Sequence, residues 1–369
     1  MKTNYEFAVR MLNDRPRPDP LLQERENRSP LFLKTRRWGG PVIVEISRGA
    51  RKGVPSLGGE GQVEGGRLHK LFSSLLVIGV LNLPLMAQAQ SSSSIIAPGA
   101  KLEKLAGDFK FTEGPTSDKD GNVFFTDQPN NRIVKWSVDD KLSTFMQPAG
   151  RANGMFFDSK GNLIACADEK TELWSITPDG KHTVLAKEYE GKILNGPNDV
   201  WVRADGSLFF TDPFYKREWW DYNQPPQGME QVYFLSADRK TLKRVTTDFS
   251  QPNGIIGTPD GKNLFVADIR AGKTYAFDIQ ADGSLTNKRL RCELGSDGMT
   301  LDAEGNLYLT GKGVTVFDKT GKKIEHIDLA EAWTANVSFG GKDHQTLFIT
   351  ASKGLYSIKM RVKGANAAK

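Results

Sequence analysis

The sequence predicts an all-β fold: a six-bladed β-propeller with four-stranded antiparallel blades, its ring closed by an N-terminal strand. Three observations predict it. A turn followed by an alternating apolar strand recurs six times between residues 120 and 351, as "DGNVFFTD", "KGNLIACAD", "DGSLFFTD", "DGKNLFVAD", "EGNLYLTG" and "DHQTLFITA". A second strand rich in aromatic and β-branched residues follows each of them, and no helical period of useful length intrudes. Repeated meanders of short strands joined by Asp-Gly type turns cannot bury a face alone, and stacking them radially gives a propeller.

Taken in order, the first unit turns at Asp120-Gly121 and returns through "RIVKWSV". The second turns at Lys160-Gly161 and returns through "ELWSITP". The third turns at Asp205-Gly206 and reaches "QVYFLS" only after the long segment 213–230. The fourth and fifth use Asp260-Gly261 with "KTYAFDI" and Glu304-Gly305 with "GVTVFD". The sixth, "DHQTLFITA" with "GLYSIKM", runs out of chain after about three strands, so residues 91–112 are expected to supply the strand that completes it.

Residues 1–66 read poorly as structure, being rich in Pro, Gly and charge without a period of 3.6 or 2. Residues 67–89 run from Arg67 and Lys70 through the apolar stretch Leu71 to Met86 to the small-x-small triplet Ala87, Gln88, Ala89. That order is the signature of a secretory signal peptide, so translation is expected to begin near residue 67, with cleavage after Ala89 and export to the periplasm or exterior. Pro84 and the shortness of the run argue against a membrane anchor. The propeller then occupies residues 90–369.

The net charge of +6 resides in the first 70 residues, which carry 14 Lys/Arg against 8 Asp/Glu; the other 299 residues balance 36 against 36. The folded part therefore has no net electrostatic case for a nucleic-acid partner. Cys166 and Cys292 lie 126 residues apart, make no disulfide framework and match no zinc spacing, so both are expected unpaired and half buried.

One register links the six units. Seven residues before each turn stand Glu113, Asn153, Asn198, Asn253, Asp297 and Asn336, all oxygen donors. Innermost propeller strands run beside the central channel, so equivalent starting residues form a ring around the axis. Two carboxylates and several amides, with no His or Cys, have the hard-oxygen character of a calcium site rather than of zinc or copper. Asn and Asp also favour turns for local reasons, and Asn153 and Asn336 are assigned to that plainer role, while Glu113, Asn198, Asn253 and Asp297 are assigned to a metal.

The segments "TEGPTSDKDGNVFFTD", "LNGPNDVWVRADGSLFFTDPFY", "QPNGIIGTPDGKNLFVAD" and "SDGMTLDAEGNLYLT" resemble the family of senescence marker protein, gluconolactonase and luciferin-regenerating enzyme, and most of all its bacterial gluconolactonase branch. The resemblance spans roughly residues 100–360. It implies one catalytic divalent cation deep in the channel, usually calcium, with magnesium, manganese or zinc as alternatives. It further implies that Glu113 in "EGP", Asn253 in "PNG" and Asp297 in "SDGM" bind that metal, with Asp297 also the general base. Asn198 in "PND" corresponds to a metal or substrate ligand, and Asp199 beside it to a contact with substrate or water. Pro197 stands where the family has an arginine, and the segment 213–230 is absent from shorter animal relatives.

Chain direction places 213–230 on the ring side of the propeller, where Tyr215, Trp219, Trp220 and Tyr222 are candidates to close over a sugar ring or lactone. Arg270 and Lys273 fall on the same side as candidate binders of an anionic product. Substrate contacts are thus expected from Asp199, Asn153, Asn336, Tyr215, Trp219, Trp220 and Arg270. His182 and His344 fall near the opposite turns and His326 in an outer strand, and no G-x-S-x-G, HExxH, Walker or Rossmann pattern appears in the repeats. The expected activity is hydrolysis of a small-molecule lactone such as glucono-1,5-lactone, with no nucleic-acid partner and no stable membrane insertion of the mature protein. A related ester or phosphotriester hydrolase, or a non-catalytic binding propeller, are the alternatives, and the oligomeric state is left open.

Overall fold

The computed structural model describes residues 95–365. The expectations for residues 1–66 and 67–89 fall outside them. Six four-stranded antiparallel sheets follow one another along the chain, and apart from a small hairpin at Glu188–Tyr189 and Lys192–Ile193 they hold all the strands described. The innermost strands, in blade order, are Thr112–Ser117, Ala152–Phe157, Val200–Val202, Pro252–Gly257, Met299–Leu301 and Thr334–Gly340. Among the described residues two short 3-10 turns, Gln128–Asn130 and Asp168–Lys170, interrupt the β-structure. No helix among the described residues is long and apolar enough to cross a membrane.

The ring closes as the sequence predicts. Glu103–Ala106 pairs antiparallel with Gly354–Lys359 and becomes the outer strand of the sixth blade. Ile95 and the partly buried Leu102 join that blade's core with Val337, Ile349 and Ile358.

At the far end of the inner strand in the first, second and fifth blades, away from the ring residues, the turns are built alike. Asp118 Oδ1 accepts the backbone N–H groups of Asp120 and Asn122, Asp158 those of Lys160 and Asn162, and Asp302 those of Glu304 and Asn306. The glycine between them takes a left-handed φ, +87° at Gly121 and +82° at Gly305, which a Cβ would penalise.

Apolar residues of adjacent sheets interdigitate to form the core. Trp201 is fully buried and lies on Gly257 of the next blade, where a Cβ would stand 2.2 Å from its ring. Burying a large apolar side chain contributes about 1.5–3 kcal/mol. Cys166 and Cys292 are free and both are buried, more deeply than the half burial expected, because each faces the core between sheets.

Candidate functional site

The ring predicted from the repeat register assembles at the entry of the inner strands. In four blades a register shift falls there, between Glu113 and Thr116, Ala152 and Met155, Pro252 and Ile255, and Thr334 and Asn336. Asn198 and Asp297 stand just ahead of the paired part of their strands. A broken ladder re-aims side chains, so the inward direction of these donors follows from irregular pairing.

All six are buried, with exposures from 1% at Asn253 to 8% at Asp297. Close approach of neighbouring strands requires glycine after four of them. A Cβ on Gly114 would lie 2.1 Å from Asn153 O, one on Gly154 2.3 Å from Asp199 Oδ1, one on Gly254 2.8 Å from Asp297 O, and one on Gly298 1.9 Å from Asn336 Cγ. In the third blade Asp199 takes this position, and its carboxylate lies over Gly154 on one side while accepting the N–H groups of Val200 and, on the other side, Ile255.

The hydrogen bonds divide the ring into two parts. Asn253 Nδ2 donates to Asp297 Oδ1 at 2.9 Å and to Tyr215 OH at 2.8 Å. The remaining Asp297 oxygen, Oδ2, accepts the indole N–H of Trp333 at 2.6 Å. In the adjoining sixth and first blades, Asn336 Nδ2 donates to Glu113 Oε2 at 3.2 Å, and the same oxygen accepts the Gly114 N–H. The side-chain Oδ1 atoms of Asn253 and Asn153 are buried and have no hydrogen-bond partner.

Three carboxylates share this space. Burial pushes Glu113 well above the usual carboxylate range, reinforced by the charges of Asp297 and Asp199. Burial raises Asp199 to about 8 against two backbone N–H bonds. Asp297 rises only to about 6, because the Trp333 and Asn253 hydrogen bonds and the Arg217 charge oppose its burial. Desolvation and mutual repulsion are the causes, and a cation would relieve both.

A divalent cation fits this donor set on one observation in particular: two buried amide oxygens lacking partners beside mutually repelling carboxylates. Among the described residues no three His, Cys, Asp or Glu side chains are grouped to hold a metal, so asparagine oxygens would have to complete any site. Asn336 holds Glu113 in place, whereas Asn153, assigned above to a turn role, carries one of the two orphaned oxygens.

The segment 213–230 reaches the ring through Tyr215 and is fastened along its length. Gln227 Nε2 donates to the carbonyls of Tyr189, Lys192 and Ile193, Phe214 N–H to Glu230 Oε2, and Lys216 Nζ to the carbonyls of Trp220 and Tyr222. Trp220 is buried at 7% between Phe214 and Tyr222, with its indole N–H on Glu169 O. It anchors the loop rather than offering a face to a substrate. Trp219 is half buried, with the Arg151 guanidinium 4.4 Å from its ring centre. Arg270 is bound to Glu230 and Ser250 O, so it secures the loop end instead of waiting for an anion.

The repeat's other acid went unread in the sequence. Asp127, Asp212 and Asp268 end the second strands and accept backbone N–H groups at residues 110 and 111, 195 and 196, and 250 and 251, just ahead of Glu113, Asn198 and Asn253. They set the approach of each ring donor. Asp168 instead holds Gln128 and, with Nε at 2.5 Å, the buried Arg217 of the loop. The recurring "TD" and "AD" at strand ends was the available signal. Trp333 and Arg217 had no signal in any repeat.

Below the ring a cavity of about 740 Å³ runs to the opposite face. Asp199 and Asn336 line it beside apolar inner-strand residues such as Phe156, Ile256 and Met299. The three histidines of the propeller lie away from the ring: His182 stacks on Trp174, His326 bonds Thr315 and His344 lines the far cavity.

Fold and site together define a six-bladed propeller with a buried oxygen-donor ring in its channel. The chain belongs to the SMP-30/Gluconolactonase/LRE-like family, whose model matches residues 111–353. It is 27% identical over 302 residues to the gluconolactonase of Zymomonas mobilis subsp. mobilis, covering 73% of this chain and 84% of the relative. It is 26% identical over 263 residues to regucalcin of Xenopus laevis, covering 66% and 84%. Among solved structures, a gluconolactonase from Xanthomonas campestris aligns with a TM-score of 0.67 at 28% identity, covering 72% of this chain and 91% of that one.

Proposed function

We propose that this protein is a metal-dependent lactone hydrolase acting on an aldonolactone, with glucono-1,5-lactone as the leading substrate. The observation that carries the reading is a ring of buried donors in which Asn253 binds Asp297 and Asn336 binds Glu113, while the side-chain oxygens of Asn253 and Asn153 are buried without a hydrogen-bond partner. The names of the Zymomonas and Xanthomonas relatives support the substrate class. Glu113, Asn198, Asn253 and Asp297 would hold one divalent cation, calcium being the best match to an all-oxygen set. When bound, it supplies Lewis-acid polarisation of the lactone carbonyl, an effect worth several kcal/mol in such sites.

The chain's own residues supply the rest. Asp297 takes a proton from the attacking water as the water oxygen bonds to the carbonyl carbon. The ring C–O bond then breaks, the leaving oxygen takes that proton back, and the new carboxylic acid releases one to solvent. Asn253 and Trp333 donate hydrogen bonds to the base, Glu113 is held by Asn336, and Tyr215 meets the ring at Asn253. Bringing water, base and carbonyl into one fixed arrangement lowers the entropic part of the barrier.

The test is hydrolysis of glucono-1,5-lactone after chelator treatment and titration with calcium, magnesium, manganese and zinc. Loss with chelator and recovery with one of these metals supports the reading. Tight cation binding with no turnover of any lactone would overturn it. We also propose export, on the basic, apolar and small-residue order of residues 67–89; recovery of a mature chain still carrying those residues would refute that part.

A further inference from the structure

Trp333 belongs to the segment leading into the sixth blade, directly ahead of the inner strand Thr334–Gly340. Its indole crosses the blade boundary to Asp297, whose Oδ2 accepts the N–H at 2.6 Å. The Trp333 backbone is itself clamped: its N–H donates to Ser352 Oγ at 3.2 Å, and that hydroxyl donates to Trp333 O at 3.1 Å. Asp297 Oδ1 receives Asn253 from the fourth blade at 2.9 Å. The acid of the fifth blade is therefore held from the blade before it and the blade after it.

The terminal torsion of an aspartate is broad, and nothing intrinsic keeps its two oxygens in one orientation. Asp297 also shares the ring with the buried carboxyl groups of Glu113 and Asp199. A short, charge-assisted bond from a clamped indole opposes that freedom.

We propose that Trp333 is a positioning residue for Asp297, its indole N–H fixing the outer carboxylate oxygen so that Asp297 keeps a single orientation toward the channel. The inference rests on the reading of Asp297 as the base. Phenylalanine at 333 retains an aromatic ring but has no N–H, which leaves Asp297 tied through Oδ1 alone.

The experiment compares the full chain with its Trp333→Phe and Asp297→Asn variants, by lactone hydrolysis and by the 15N-indole proton spectrum. The Trp333 indole proton, identified by its absence from Trp333→Phe, is expected far downfield and to move upfield in Asp297→Asn. Trp333→Phe is expected to lower kcat roughly 10- to 100-fold, the usual range for partners that orient site residues, with KM changed by less than about threefold. If that variant does not fold, Trp333→His, which keeps an N–H donor, is expected to retain more activity than Trp333→Leu. An indole resonance indifferent to Asp297→Asn would overturn the proposal, and so would an unchanged kcat with a raised KM, which would assign the indole to substrate contact. Should the wild type hydrolyse no lactone, the reading of the base falls, and the indole shift still decides whether Trp333 holds the carboxylate.

Discussion

Asn253 and Asp297, on neighbouring blades, are joined by a 2.9 Å hydrogen bond from Nδ2 to Oδ1, and the other Nδ2 contact goes to Tyr215. Both donors of the amide are thereby committed. Its side-chain oxygen is buried and left without a partner. One side chain thus orients the proposed base and offers a ligand oxygen.

Asn253→Ala should remove both roles. Cation affinity and turnover are each expected to fall by roughly 10- to 100-fold. Titration calorimetry on the chelator-stripped variant checks the first, and a lactone assay at saturating cation the second. Unchanged affinity would mean that Asn253 is not a ligand.

Glu113→Gln removes one of three buried carboxylates that repel one another. The cation-free variant is expected to melt higher than the cation-free wild type, while the gain in melting temperature on adding cation disappears. Scanning calorimetry with chelator and with excess calcium separates the two effects. A lower melting temperature in chelator would show that Glu113 is held mainly by its hydrogen bonds.

The same repulsion sets a pH dependence. Asp297 at about 6 and Asp199 at about 8 are both raised above their unfolded values. The stability each contributes is complete below the unfolded aspartate pKa near ~4 and is lost as pH rises through its folded value. Cation-free protein should therefore lose stability between about pH 4 and about pH 8, and cation binding, which displaces protons, should strengthen over that window. Urea midpoints across the range, with and without calcium, measure it. A cation-free midpoint that rises toward pH 8 would contradict the assignment.

Gly298→Ala would place a Cβ 1.9 Å from Asn336 Cγ, with the Asn336 amide committed to Glu113. Overpacking of this kind costs about 1–3 kcal/mol, and here it also displaces the group that holds Glu113. Reduced stability together with weakened cation binding is the expected result. Loss of stability with intact binding would uncouple Asn336 from the ring.

Arg217→Met leaves Asp168, which is 2% exposed and pairs with Arg217 Nε at 2.5 Å, with the neutral Gln128 amide in place of its cation partner. Removing one partner of a buried pair costs about 3–5 kcal/mol, so the single variant should be strongly destabilised. Asp168→Asn in the same chain should restore much of the loss, as read by denaturant unfolding. No rescue would assign Arg217 chiefly to its contacts near the Tyr215 and Trp219 rings.

The architecture was legible because every blade repeats one local pattern. "DGNVFFTD" and its five relatives each encode a turn and a strand with two-residue alternation, and such units have few ways to bury their faces. The register that ties Glu113 to Asn336 was legible for the same reason: equivalent positions in a radial repeat must meet at the axis. The closing strand at Glu103–Ala106 followed from counting, since the sixth unit was one strand short.

The partners of the ring were not legible, because they depend on which blades touch and on loops outside the repeat. Trp333 reaches Asp297 with an indole that the equivalent positions Lys110, Asn195 and Ser250 do not repeat, and Arg217 reaches Asp168 from the irregular segment 213–230. The aromatics of that segment read as candidates for stacking, yet Trp220 spends its ring on Phe214 and Tyr222, and Arg270 is taken by Glu230. Sequence by itself determined the repeat, the blade count and the oxygen atoms available to the channel. Tertiary structure alone decided which of those oxygens are left without hydrogen-bond partners, because that depends on donors arriving from neighbouring blades through contacts that local periodicity does not encode.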